Sequence, residues 1–479
     1  MLWKKGGALL TRFAIGLVLA SVLAFAASAQ DARRGAAAYA RGEFSAAAEL
    51  WRPLARKGDA KAQYGLAELY AKGQGVDRNP QQAVTWYRLA ALQGHGAAQF
   101  SLGGMYGKGA GVARDHGAAA KWYRLAADQG VVLAQVNLGF MYDKGEGVSR
   151  DPRQAAIWYR KAARQGHLGA QYNLAAMYAD GAGVTKDDAQ AARWFHKAAD
   201  QGDGAAHYAL GEFYRLGRGV GQSDAEALRR YQKAAGIGYA DAQLHIAFLY
   251  DKGRGVAQDR ARALKWYRSA ADQGLTQAQY SLGAMHWNGV GTAKDYEKAV
   301  AWYLLAAEQG LAEAQYALGI SYRLGISYRM EFGVKKTRAG AMKWLGRAAG
   351  QGHRNARYVL GDIHLRQRQV AKGWWFMCAA ANQGHAKAQH VLGLFYEGRA
   401  ALLWPSRGRA PVRTDLIYAL MWYKLAVAGG VNEAAFYLEA LAARLSSPQR
   451  FDAELAAGKW KPNPNACGVP RKPATAPGR

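Results

Sequence analysis

Apolar and polar positions along this chain follow a helical period, and the helical pattern itself recurs every 36 residues. Ala-Gln returns at Ala62-Gln63, Ala98-Gln99, Ala134-Gln135, Ala170-Gln171, Ala242-Gln243, Ala278-Gln279 and Ala314-Gln315, with Ala206-His207 in the same register. Within one period, Ala134, Leu138, Met141 and Tyr142 fall at i, i+4, i+7 and i+8, one face of a first helix. Gly145-Glu146-Gly147 ends that helix, because glycine reaches the left-handed conformation a helix C-terminus needs. Val148, repeated as Val76, Val112, Val184, Val220 and Val256, is a single apolar plug in a polar loop. Asp151 then caps a second helix, with Pro152 at its first position. Ala155, Trp158, Tyr159, Ala162 and Ala163 supply the apolar face, and Gln165-Gly166 closes the unit.

The cap slot recurs as Asn79, Asp115, Asp187, Ser223, Asp259, Asp295, Thr337 and Asp415. Gln82, Gln154, Gln190 and Glu226 stand three residues after their caps, the spacing of a capping box. Each unit is thus a hairpin of two short helices, and neither persists alone in water at that length. Small residues (Ala134, Gly139, Ala162) allow close approach, and large ones (Leu138, Tyr142, Trp158, Tyr159) fill the space between hairpins. A fixed period of this length marks a solenoid in which neighbours supply each other's core.

The pattern AQ-x-x-LG-x-x-Y-x-x-G-x-GV, then A-x-x-WY-x-x-AA-x-QG, resembles the Sel1-like repeat family, a relative of the tetratricopeptide repeat. The resemblance covers about residues 32–442. It implies an all-α, right-handed α/α superhelical solenoid of about ten helical-hairpin repeats. It also implies a concave face used as an adaptor for protein partners.

The expected organisation runs from a signal peptide over 1–29 through an N-terminal capping hairpin over 30–58, built on Phe44, Trp51 and Leu54. The solenoid then covers 59–442, regular to about 315. A C-terminal capping helix over 443–460, opening at Ser447-Pro448, and a disordered tail over 461–479 complete it. After Gln315 the anchors step by 42, 32 and 46 residues, to Arg357, Gln389 and Ala435. The first excess is a doubled hexapeptide, GISYRL at Gly319–Leu324 and GISYRM at Gly325–Met330. Six residues turn a helix by about 600°, so the copy sits about 240° out of phase. It is either a slip tolerated in a surface loop or a protrusion with a purpose. Trp374, Trp375 and Phe376 adjoin in the unit that follows and cannot share one helix face, so one is exposed or covered by another element.

Lys4, Lys5 and Arg12, the apolar Phe13–Phe25 and Ala27-Ser28-Ala29 have the form of a cleavable secretory signal. They point to a bacterial periplasm. The alternative is an uncleaved inner-membrane anchor, since 18 residues between Arg12 and Asp31 are the short limit for a span. The 64 Lys and Arg lose three in the leader, which leaves 61 against 35 Asp and Glu, +26 in net charge. Residues 335–372 carry ten Lys or Arg against Asp362 alone, and the loop 398–414 has four Arg, no acid and Trp404. Lys335, Lys336, Arg338, Arg354, Arg366, Arg368, Arg407 and Arg409 are the candidate basic surface. Such charge concerns partners rather than fold. Export argues against nucleic acid and leaves an acidic protein, a lipid headgroup surface or an anionic polymer.

No catalytic constellation, cofactor fingerprint or metal-ligand spacing stands out. His95, His167, His353 and His385 share one slot after the Gln-Gly turn, so they are structural by position. His286 and His364 replace a packing tyrosine. Two cysteines, Cys378 and Cys467, make no disulfide framework, though the pair could bridge. One cysteine-rich branch of the Sel1-like family is linked to β-lactam hydrolysis, with a cysteine pair in every repeat; this chain lacks those pairs and any Ser-x-x-Lys at a helix start. By analogy with tetratricopeptide repeats, residues off the packing stripe of the first helices line the concave groove: Ser101, Asn137, Phe140, Asn173, Glu212, His245, Phe248 and Ser281. The expected function is a non-catalytic, cofactor-free interaction scaffold of the cell envelope whose partner is an envelope or signalling protein. The alternative is an envelope-polymer or anionic-surface binder using 335–414, and a β-lactam hydrolase comes third.

Overall fold

A computed structural model of the chain describes residues 30–324, 338–399 and 414–461. The leader, the second hexapeptide copy, Lys335, Lys336 and Thr337, the loop residues Trp404, Arg407 and Arg409, and Cys467 with the tail lie outside the described residues. The chain divides into two compact units, Met1–Tyr239 and Ala240–Arg479.

All regular structure among the described residues is helical. In the first unit α1 (30–40) and α2 (Phe44–Arg56) precede five hairpins. These are α3 (Ala60–Lys72) with α4 (Pro80–Leu92), α5 (Gly96–Lys108) with α6 (His116–Asp128), α7 (Val132–Lys144) with α8 (Pro152–Arg164), α9 (Leu168–Asp180) with α10 (Asp188–Asp200), and α11 (Gly204–Leu216) with α12 (Asp224–Gly236). The second unit pairs α13 (Ala240–Lys252) with α14 (Arg260–Asp272), α15 (Thr276–Asn288) with α16 (Tyr296–Glu308), and α17 (Ala312–Leu324) with α18 (Arg338–Gly350). It continues with α19 (Arg354–Arg366) and α20 (Val370–Ala381), α21 (Ala386–Glu397) and α22 (Leu416–Ala428), then α23 (Glu433–Ala442) and α24 (Ser447–Lys459). The expected array of paired helices is what the chain forms.

Local chemistry sets the helix ends. Asn79, Asp115, Asp151, Asp187, Ser223, Asp259, Asp295 and Asp415 each accept a first-turn backbone N–H of the second helix. The reciprocal capping box expected at Gln82, Gln154, Gln190 and Glu226 does not form. It forms instead at Ser446 with Gln449, one residue ahead of the expected Ser447 start. Glu226 pairs with Arg229 at 2.8 Å rather than returning to its cap.

The two loop glycines have separate tasks. Gly145 is left-handed (φ 77°) and closes α7. Gly147 (φ 70°) rests on the start of α6, where a Cβ would lie 2.2 Å from the His116 carbonyl. A side chain there would push adjacent hairpins apart. The histidines after the Gln-Gly turn are N-caps of the first helices: Nδ1 of His95, His167, His353 and His385 accepts from the N–H three residues on, at 3.2 Å each.

The irregular unit keeps the hairpin with a shorter turn. Arg368 holds φ 60°, the only positive φ at a non-glycine among the described residues. Trp374 is buried, Phe376 stacks on His364 with ring centroids 5.5 Å apart, and Trp375 is exposed. Cys378 is buried in α20 and is not a free thiol. No helix among the described residues is long and apolar enough to cross a membrane.

Candidate functional site

Packing commits most of each helix, so candidates are the side chains it leaves half-exposed. Ser101, Asn137 and Asn173 occupy one register position on α5, α7 and α9 of the first unit, each half-buried and directly ahead of a buried leucine. Ser281 holds that position on α15 and His245 on α13 of the second unit, where Phe248 is also half-buried.

These side chains are not unattached. The phenols of Tyr87, Tyr123 and Tyr159 interact with Ser101, Asn137 and Asn173, and that of Tyr267 with Ser281. Each tyrosine lies in the second helix of the preceding hairpin. Burial, with Asp143 nearby, pushes the Tyr159 phenol up to about 12. Tyr159 therefore stays protonated and offers Asn173 a neutral hydroxyl. On α7 and α9 these are tyrosine–amide pairs, and on α5 and α15 tyrosine–serine pairs. An amide has more than one donor and acceptor, so the asparagines can make further bonds.

Glu212 is engaged differently. It accepts from Tyr231, and Arg215 donates to both of its oxygens at 3.0 and 2.6 Å. Glu68 repeats the arrangement with Tyr87 and Lys72. Glu397 takes Tyr423 at 2.9 Å and Arg444 at 2.8 Å. A glutamate on this face thus locks a buried tyrosine hydroxyl, a structural duty.

The first unit has a cavity of about 340 Å³ on this face, bounded by Phe140, Asp143, Lys144, Tyr159, Asn173 and Asp180 among others. It brings together two expected residues, Phe140 and Asn173. Phe140 is 43 % exposed, with the Lys144 ammonium 6.0 Å from its ring centre. Lys144 pairs with Asp143 at 2.8 Å, and Asp180 has no ion-pair partner among the described residues.

Of the candidate basic surface, Arg338, Arg354, Arg366 and Arg368 are exposed. Arg366 is not free: it donates to Asp362 at 2.9 Å, and Arg323 meets the same carboxylate at 3.0 Å. Lys335, Lys336, Arg407 and Arg409 lie outside the described residues. Among the described residues no three His, Cys, Asp or Glu side chains gather as a metal site.

The feature that sequence reading missed is a set of buried glutamine pairs. Gln135 donates to the Ala127 carbonyl at 3.1 Å and accepts from Gln165 at 2.9 Å. The pairing recurs as Gln63–Gln93, Gln99–Gln129 and Gln171–Gln201, then in the second unit as Gln243–Gln273, Gln279–Gln309 and Gln315–Gln351. The signal was present, since the Ala-Gln and Gln-Gly glutamines recur together and fail together at His207 and Ile237. In the irregular unit Arg357 takes the glutamine's place and donates to Ala349 O at 3.1 Å.

The Sel1 repeat profile matches residues 60–95, 96–131, 132–167, 169–203, 204–239, 240–275, 276–311, 312–353 and 386–431. The gap in that series is the α19–α20 hairpin. No curated protein sequence matches the chain. Among solved structures, c5321, described as a protective antigen of uropathogenic Escherichia coli strains displaying an SLR fold, is 34% identical. The match covers 87% of each chain with a TM-score of 0.74. A Sel1 repeat protein from Oxalobacter formigenes is also 34% identical, over 66% of this chain and 89% of that one, with a TM-score of 0.56.

Proposed function

The chain belongs to the Sel1 repeat family, and from that premise we propose that it is an exported, non-catalytic scaffold of the bacterial cell envelope. It captures an extended segment of a protein partner on the first-helix face of its first unit. Sel1 repeat proteins are generally protein-interaction scaffolds. The cavity between α7, α8 and α9 is the observation that carries the finer reading. There a half-exposed Phe140 stands beside the Asn173–Tyr159 pair and the unpaired Asp180. An extended strand presents backbone donors and acceptors together with alternating side chains. Asn137 and Asn173 meet the backbone groups, Phe140 takes an apolar side chain and Asp180 a basic one.

The form of residues 1–29 supports export. The description of the Escherichia coli relative as a protective antigen agrees with a chain that leaves the cytoplasm. Asn137→Ala with Asn173→Ala should weaken partner capture at a cost of only about 1–2 kcal/mol in stability from the lost tyrosine contacts, so the chain stays folded, and unchanged capture contradicts the reading. Ionic strength separates it from binding through the basic region. Capture in the cavity survives added salt, whereas attraction of a polymer to exposed arginines collapses.

A further inference from the structure

A cavity of about 1090 Å³ in the first unit lies on the opposite helices, between α8 and α10. Arg153, Arg160 and Arg164 line it from α8, Lys186 from the loop 181–187, and Tyr178 and Trp194 form apolar walls. Its one acid, Asp187, already accepts the Gln190 N–H as the cap of α10.

Comparison of the same positions in other hairpins shows that this charge is not a general property of the repeat. Arg124 in α6 pairs with Asp128 at 3.2 Å, and Arg268 in α14 pairs with Asp272 at 3.1 Å. The residue four after Arg160 is Arg164, where α6, α10 and α14 have Asp128, Asp200 and Asp272. Arg160 therefore lacks the intrahelical acid and keeps only the bond to the tyrosine eighteen residues on, Tyr178 at 3.0 Å, which Arg88 and Arg124 also make to Tyr106 and Tyr142. Arg153 stands where α6 has Gly117 and α10 has Ala189. Arg153, Arg164 and Lys186 have no ion-pair partner among the described residues.

Four cations facing one cavity repel each other unless an anion lies between them. We propose that this cavity binds a ligand carrying two or more phosphate or carboxylate groups. Arg160 and Arg164 grip one oxyanion from one helix face, since residues four apart are neighbours. Guanidinium groups suit bidentate contact with either oxyanion. Arg153 and Lys186 take the next charge, and Trp194 offers a flat wall to the uncharged part of the ligand. This site is separate from the first-helix face and does not depend on the function proposed for it.

The test titrates the full chain with inorganic tripolyphosphate, and separately with citrate, at a salt concentration near physiological, which screens diffuse attraction. Hydrogen–deuterium exchange of the 181–187 loop provides the local readout. Arg164→Asp restores the residue type that Asp128 and Asp272 show the fold accepts. It should weaken binding at least about tenfold and abolish protection of the loop, because a charge-assisted bond is replaced by repulsion. Lys121→Asp, with the same charge change on α6, should leave both almost unchanged. Tighter binding of one probe identifies phosphate or carboxylate as the preferred group. Equal weakening by both variants, retained binding in Arg164→Asp, or no protection of 181–187 by either probe overturns the proposal.

Discussion

Gln165 donates its side-chain amide to the side-chain oxygen of Gln135 at 2.9 Å, and Gln135 in turn donates to Ala127 O at 3.1 Å. The chain runs Gln165 to Gln135 to the end of α6, so each bond ties the close of one hairpin to the start of the same hairpin and the close of the one before. Gln135 is buried. Gln135→Met keeps volume but leaves the Gln165 amide without its partner and Ala127 O with only the Gly130 N–H, which should cost about 1–3 kcal/mol. Denaturant unfolding measures this; a loss near zero would mean that water replaces the bond freely.

The pairing fails at one place in the first unit, where His207 faces the position held by Ile237. His207 Nδ1 is buried without a partner, and Ile237 is 65 % exposed. His207→Gln together with Ile237→Gln should rebuild the pair and raise stability, with a coupling of about 1 kcal/mol beyond the two single changes. A strictly additive double-mutant cycle contradicts this.

Gly139 lies under the Tyr159 ring, and a Cβ at that position would come within 2.9 Å of it. Alanine normally gains about 1 kcal/mol over glycine in a helix. Gly139→Ala should nevertheless destabilise by about 1–3 kcal/mol, because the ring has to move. Gly346, exposed in α18 with nothing near its missing Cβ, is the control. Gly346→Ala should stabilise by about 0.5–1 kcal/mol. Thermal melts of both variants read the opposite signs.

Trp158 is 2 % exposed, with Arg124 and Lys161 over its ring at 4.9 and 3.9 Å. Trp158→Ala should cost about 3–5 kcal/mol as a large-to-small core change. Trp375, 39 % exposed, should cost far less on the same change, within about 0.5 kcal/mol if its surface role is passive. Equal losses would contradict the burial assigned to each.

The histidine caps predict acid sensitivity. Burial lowers the pKa of His95, His353 and His385, the last to about 4. Each accepts through Nδ1 and stacks on Tyr64, Tyr316 or Tyr358, so the neutral form is the folded one. The unfolded chain takes up protons near pH 6.5 while the fold resists. The contribution is therefore complete above about pH 6.5 and is lost as pH falls towards about 4. Melting temperature should drop across that window, and His385→Asn, which caps without titrating there, should reduce the drop. A melting temperature flat with pH contradicts the capping role.

Much of this architecture is legible along the chain because it is local. A helix cap, a left-handed glycine or an apolar stripe is decided within a few residues, so Asp151, Gly145 and Trp158 read correctly from spacing alone. The Gln135–Gln165 pair spans thirty residues, and either glutamine by itself reads as a punctuation mark. Gly147 reads as a helix terminator, yet its second task, resting on His116, needs the neighbouring hairpin in place. The candidate face suffers most from this. Asn173 reads as a groove amide because Tyr159 reads only as core, whereas the Tyr159 hydroxyl reaches out of the core to that amide, as Tyr123 does to Asn137. Glu212 reads as a groove residue until Tyr231 and Arg215 close on it.

The central claim is that the first-helix face of the first unit holds a protein partner. Site-specific photo-crosslinking in cells, from position 140 on that face and from position 157 on α8, tests it most directly. Ile157 is similarly exposed at 41 % but lies outside the cavity. The prediction is a discrete adduct from position 140, absent from 157 and lost when Asn137 and Asn173 are both alanine. Adducts of equal yield from both positions, or a position-140 adduct unaffected by the double substitution, would contradict it.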